Sequence, residues 1–162
     1  MNNPATTEIV WDAIEKELFA VLGMVTAQAE ARTVGIVYLV KDRKFYIGTG
    51  INTWKARHIS ANPRVSLTIP IAKRIPILPW IKIPQATITL HGSAEIIPAR
   101  EAPDKLLREV FRHKADDHEF LQDTCLIKIQ PQGDFLTYGI GVPMIKMRNP
   151  ELARGRAPVK SG

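Results

Sequence analysis

The sequence predicts a mainly β protein with a few helices, folded as a closed or partly closed antiparallel barrel of six or seven short strands. Three observations carry this. Apolar, β-branched runs of strand length recur along the 162 residues, bounded by Gly, Pro, Asn and Asp. The polar link Lys41-Asp42-Arg43-Lys44 has hairpin length, so the first three strands form an antiparallel meander. Closing such a sheet on itself then removes most of its exposed edges.

Taken in order, Thr6 or Thr7 caps a first helix, and Val10, Trp11, Ile14 and Leu18 recur at near-helical spacing. Strands follow at Phe19 to Thr26 and Arg32 to Val40, and a third begins at Phe45. The stretch from Phe45 to Ile69 then reads as strand, glycine-bearing turn, short helix and strand. Gly48 and Gly50 are expected to break the strand, and Thr53 to cap a helix from Trp54 to Ser60 that stops at Asn62-Pro63. Arg64 to Ile69 resumes the sheet. Four prolines (Pro70, Pro76, Pro79, Pro84) then exclude a helix, in a loop that is nonetheless apolar through Ile75, Ile77, Leu78, Trp80 and Ile81. Three uses compete for that loop: packing on its own barrel or a second subunit, a lid over a ligand, and contact with a membrane surface.

Ala86 to Ile97 alternates cleanly and is the longest predicted strand, with Gly92 marking a bulge or bend. A helix from Pro103 or Asp104 sets Leu106, Leu107, Val110 and Phe111 on one side. Two strands, Thr124 to Gln130 and Asp134 to Tyr138, are expected on either side of a turn at Pro131-Gln132-Gly133. Residues 1–145 thus form the barrel domain, and residues 146–162 read as a basic, extended C-terminal arm.

The turn before the short helix is the candidate site. A helix start offers unpaired N–H groups and the positive end of a dipole to an anion. Thr49 and Thr53 add hydroxyls, Gly50 allows close approach of a ligand, and Lys55 and Arg57 add charge. A Rossmann fingerprint is excluded, because Thr53 stands where the third glycine belongs and no acid ends the next strand.

Other chemistries lose ground on composition. The single cysteine, Cys125, precludes an internal disulfide and reads as a small core residue. His113 and His118 are five apart and do not share a helix face, so no metal is expected. Nucleophile-elbow, zinc-protease and Walker motifs are absent. Of the net charge of +6, the tail from Lys146 carries +4 and the loop from Pro70 to Pro84 carries +3, leaving the barrel near neutral. A nucleic-acid partner is therefore not expected. Neither an export signal nor a membrane-spanning run is apparent, so the expected location is cytoplasmic.

The ordered motifs RTVGIVYLV from Arg32, FYIGTG from Phe45 and TWKARHISANPRVSLTI from Thr53 resemble the FMN-binding split-barrel family that includes pyridoxamine 5′-phosphate oxidase. The resemblance implies a six-stranded split barrel that dimerises and binds FMN between its subunits. It implies that Arg32, Thr33 and Val34 lie along the flavin and its phosphate, that Thr49, Thr53 and Lys55 hold the phosphate, and that Thr87 reaches the cofactor. It also implies redox chemistry on a small molecule; relatives that use a deazaflavin or haem supply the alternative cofactors. A non-catalytic sensor with a partner-binding tail is the alternative outside enzymology. Trp54 replaces the arginine of the oxidases' Arg-Lys pair, and Val37 replaces a basic residue on strand two. The tail lacks their arginine-bearing substrate motif, so the substrate is left open.

Overall fold

A computed structural model describes residues 5–72 and 84–160. The apolar and basic side chains from Lys73 to Lys82, including Trp80, lie outside the described residues. The elements are α1 (Thr7–Glu15), β1 (Phe19–Val25), β2 (Ala31–Val37), β3 (Leu39–Lys41), β4 (Lys44–Gly50), α2 (Trp54–Ala61), β5 (Arg64–Ile71) and β6 (Ala86–Pro98). They continue with α3 (Asp104–Phe111), α4 (His118–Gln122), β7 (Thr124–Tyr138), α5 (Pro150–Ala153) and β8 (Arg154–Pro158).

All strand pairs are antiparallel, in the order β2-β1-β5-β6-β7-β4-β3, with β8 added to β7. The two ends of this order, β2 and β3, are halves of one chain segment interrupted only at Tyr38. That bent segment gives its first half to β1 and its second to β4, which curls the sheet into a barrel. The predicted meander is thus present, with the expected second strand folded at its middle. The link to β4 is a two-residue turn in which Asp42 (φ 50°) and Arg43 (φ 56°) are both left-handed, the geometry that matches the twist of a hairpin.

The inward faces of these strands, together with α1 and α2, make one core that includes Trp11, Ile14, Phe45, Ile59 and Phe135. Trp11 packs on Phe45 and stands edge-on to Phe135 at 5.2 Å, and Tyr38 stands edge-on to Phe45. Leu18 does not belong to this set: α1 ends at Glu15, and Leu18 is largely exposed. A smaller apolar cluster forms where α3 and α4 cover the outside of β4 and β7, through Leu106, Leu107, Leu121 and Leu126. Gly48 serves that contact. A Cβ there would come within 2.4 Å of the Phe111 ring, so the glycine admits an aromatic side chain, and β4 runs unbroken through Gly50.

Two expectations from the sequence fail on the last third of the chain. Pro131-Gln132-Gly133 is not a turn but a bulge within one long strand, β7, with Gly133 left-handed at φ 67° opposite His91. Gly92 marks a close approach instead, because a Cβ there would meet the Gln130 carbonyl oxygen at 2.4 Å. The segment read as an extended arm folds back as a short 3₁₀ turn (Met144–Arg148), α5 and β8, which pairs with β7 from Asp134 to Tyr138. Trp11 Nε1 donates to the Val159 carbonyl at 3.1 Å and the Thr7 hydroxyl donates to that of Pro158 at 2.7 Å, tying the chain's end to α1.

Candidate functional site

The local chemistry of the turn before α2 is as the residues dictate. The Thr53 hydroxyl accepts from the Ala56 N–H and donates to the Gly50 carbonyl at 2.9 Å, so it is the N-cap of α2. It also lies 3.4 Å from the Thr49 hydroxyl. The Ile51 N–H donates to the Asp123 carbonyl at 2.9 Å, which fastens the turn to the start of β7. Capping leaves the N–H groups of Trp54 and Lys55, on the first turn of the helix, without a partner among the described residues. The bond to the Gly50 carbonyl uses the Thr53 hydroxyl proton, so that hydroxyl donates to an anion only by giving up that bond.

Lys55 is half-buried, whereas Arg57 is exposed on the same helix. Burial pushes the Cys125 thiol above its ordinary range, and the Lys55 charge nearby pulls it down. Cys125 is buried opposite Thr49, in a core role, as expected. The Lys55 charge is therefore felt at Cys125, the residue paired with Thr49. Beside β4, a cavity of about 670 Å³ is lined by Thr49 and Gly50 together with Asp117, Glu119 and Asp123. Three acids and no base make that cavity unfit for a phosphate.

The remaining candidates divide between places. Arg32, Thr33 and Val34 lie on β2, whose residues pair β1 alone among the described residues, which leave its other edge open along this part. α2 packs against β1, and Arg32 and Thr33 pair with Met24 and Gly23 of that strand. Arg32 is ion-paired with Glu30 at 2.7 Å on the surface. Thr33 projects outward, whereas the Val34 side chain packs on the core and offers an outer ligand only its backbone. Thr87 is not with this group. It pairs with Pro70 and Tyr138, at the far end of β6 and β7 from the Thr49–Cys125 pair.

Among the described residues no group of side chains has the makings of a metal site, and no helix is long and apolar enough to cross a membrane. Sequence reasoning missed Thr89, Arg154 and Arg156, which line a second cavity with Thr87. The available signal was the alternation Arg154-Gly155-Arg156-Ala157, which reads as a strand only once its partner is known.

An antiparallel curled barrel with a capped helix inserted after its fourth strand defines the class to which comparison then gives a name. A family model described as pyridoxamine 5′-phosphate oxidase matches residues 6–134, and the chain belongs to that family. Solved structures share the fold at low identity. A haem storage protein from Vibrio cholerae is 17% identical, with a TM-score of 0.64 over 81% of this chain and 93% of that one. General stress protein 26 from Bacillus anthracis is 18% identical, with a TM-score of 0.59 over 85% of this chain and 95% of that one. An FAD-binding protein from Mesorhizobium loti is 15% identical, with a TM-score of 0.55 over 75% of this chain and 84% of that one. No curated protein sequence matches the chain.

Proposed function

We propose that this chain is a homodimeric FMN-binding oxidoreductase that holds the flavin phosphate at the turn before α2. One observation carries the reading: two unpartnered N–H groups at the start of an eight-residue helix lie beside paired threonine hydroxyls and a half-buried lysine. The donor set suits a phosphate, with Lys55 as its charge, Trp54 and Lys55 as N–H donors, and the Thr49 hydroxyl, whose contact with Thr53 is long at 3.4 Å, as a donor that can turn to the ligand. Arg57 is too exposed to be a strong contributor. The open edge and backbone of β2 at Thr33 and Val34 suit the flat, hydrogen-bonding ring of a flavin. When bound, FMN supplies the hydride or electron transfer; the protein supplies orientation and charge. Flavin binding by a structural neighbour is consistent with this cofactor, while haem binding by another names the competitor.

The dimer reading rests on two apolar side chains that stay well exposed among the described residues. Phe19 and Val37 are paired neighbours on the outer face, 47% and 67% exposed, and the Phe19 ring lies across Gly35. Adjacent exposed apolar side chains gain free energy when a partner surface covers them. A cofactor bound along β2 would lie beside that interface.

The visible spectrum of the purified chain tests the cofactor, since flavin bands and a haem Soret band are unmistakable. Lys55→Ala should weaken FMN binding by about 1.5–3 kcal/mol, roughly 10- to 100-fold in Kd by fluorescence titration. Unchanged affinity would remove Lys55, and with it the turn, from the site.

A further inference from the structure

Away from the proposed flavin site, α3 and α4 line a cavity of about 720 Å³, within the roughly 300–1,000 Å³ of small-molecule sites. Each helix gives it three side chains at the same spacing: Asp104, Leu107 and Arg108 from α3, and His118, Leu121 and Gln122 from α4. Residues three and four apart share a helix face, so one stripe of each helix is turned to the cavity. Phe111 and Phe120, edge-on at 5.5 Å, join the two helices outside this lining. The floor is apolar, because Leu107 and Leu121 belong with Ala102 and Ala115 to the buried cluster over β4 and β7. The walls are charged with both signs, Arg100 and Arg108 standing against Asp104, Asp116 and Asp123. We infer that this cavity binds a free α-amino acid with an apolar side chain.

The charge balance selects the ligand. The cavity beside β4 has three acids and no base, whereas here neither sign has the walls to itself. A simple anion entering the cavity meets three carboxylates, and a simple cation meets two guanidinium groups; like charges brought together oppose binding. A molecule with an ammonium and a carboxylate on one carbon satisfies both signs at once. Its side chain then covers the leucine floor.

The groups it needs are available. The Asp104 and Asp123 carboxylates have no hydrogen bond or ion pair among the described residues. Arg100 meets Glu101 only at 3.7 Å and Arg108 meets Asp116 at 3.4 Å, with all four side chains well exposed. Ion pairs of this kind contribute little, so a ligand carboxylate can take either guanidinium by the two-point contact its fork allows. Asp104 and Arg108 lie one helical turn apart, with Cβ atoms about 5–6 Å from each other. One amino acid can therefore give its ammonium to Asp104 and its carboxylate to Arg108. None of the cavity's lining residues is among those proposed to hold the flavin.

Calorimetric titration of the full chain with L-leucine tests the site. Leucinamide keeps the side chain and the ammonium but lacks the carboxylate, and N-acetylleucine keeps the carboxylate but lacks the ammonium. Each should bind about tenfold more weakly than leucine, or worse. Arg108→Gln should weaken leucine about tenfold while leaving leucinamide unchanged, and Asp104→Asn should weaken leucine while leaving N-acetylleucine unchanged. Melting curves establish that both variants are folded, and Arg108→Lys, which keeps the charge but not the fork, should retain part of the affinity. A wild-type chain that takes up no leucine at millimolar concentration would overturn the proposal. So would leucine affinity unchanged in Arg108→Gln. N-acetylleucine or leucinamide binding as tightly as leucine would overturn it too, and would reassign the cavity to a simple anion or a simple cation.

Discussion

Tyr38 shows how one residue ties the barrel together. It sits where the chain passes from β2 to β3, its N–H donates to the Leu18 carbonyl, and its buried hydroxyl donates to the Ile14 carbonyl at 2.8 Å. Burial first, and the Glu17 charge second, push its phenol well above the ordinary value. The unfolded chain ionises this group near pH 10, so the contribution of Tyr38 is complete below that pH and declines as pH rises toward the folded value. Denaturant titrations across alkaline pH should therefore show stability falling above about pH 10, with a shallower fall in Tyr38→Phe. Thr137 makes the opposite case. It is 5% exposed, and its hydroxyl is buried with no hydrogen-bond partner among the described residues. Thr137→Val keeps the shape and removes the unmet hydroxyl, so urea unfolding should show a gain of about 1 kcal/mol. Gly155 opposite must stay small, because a Cβ there would meet that threonine oxygen at 2.6 Å.

At the scale of elements, α2 is the piece whose boundaries are local chemistry. Thr53 caps it, Asn62 and Pro63 end it, and both were legible because each acts within a few residues of itself. Thr53→Ala should cost about 1 kcal/mol in denaturant unfolding, with a modest loss of FMN affinity because the N–H groups of the first turn are less well held. β7 was less legible. Pro-Gln-Gly is turn chemistry, and only the partner strand β6, running unbroken through His91 and Gly92, holds the chain straight enough to make a bulge of it. β8 was not legible at all. Five residues containing Gly and Pro have no strand preference of their own, and what orders them is pairing with β7 and the capture of the following carbonyls by Thr7 and Trp11, about 150 residues away in sequence. The same distance hid the Arg154–Arg156 pair. The sequence places both arginines in a tail, and only the register sets them beside Thr87 and Thr89.

For the whole molecule, the helices are unevenly distributed around the barrel. α3 and α4 shield the outside of β4 and β7, while Phe19 and Val37 on the outer face of β1 and β2 stay well exposed, Val37 at the rim of a cleft shared with Glu109 and Arg112 at the end of α3. An isolated barrel would leave this apolar strip in water, and a second copy of the chain placed on it would remove the strip and close the space beside the open edge of β2. A carboxylate introduced at its centre reports directly on that arrangement. Val37 is on the outward side of its strand and contributes nothing to the core, so Val37→Asp should leave the monomer's unfolding free energy nearly unchanged. Burying the new charge in an interface costs about 3 kcal/mol or more, which raises the dimer's Kd at least about 100-fold. Light scattering at micromolar concentration should then report a dimer for the wild type and a monomer for the variant. Flavin content should fall with the dimer if the cofactor is clasped between subunits. A monomeric variant that keeps its full flavin would instead confine the cofactor to one chain, held by the α2 turn and the edge of β2 alone.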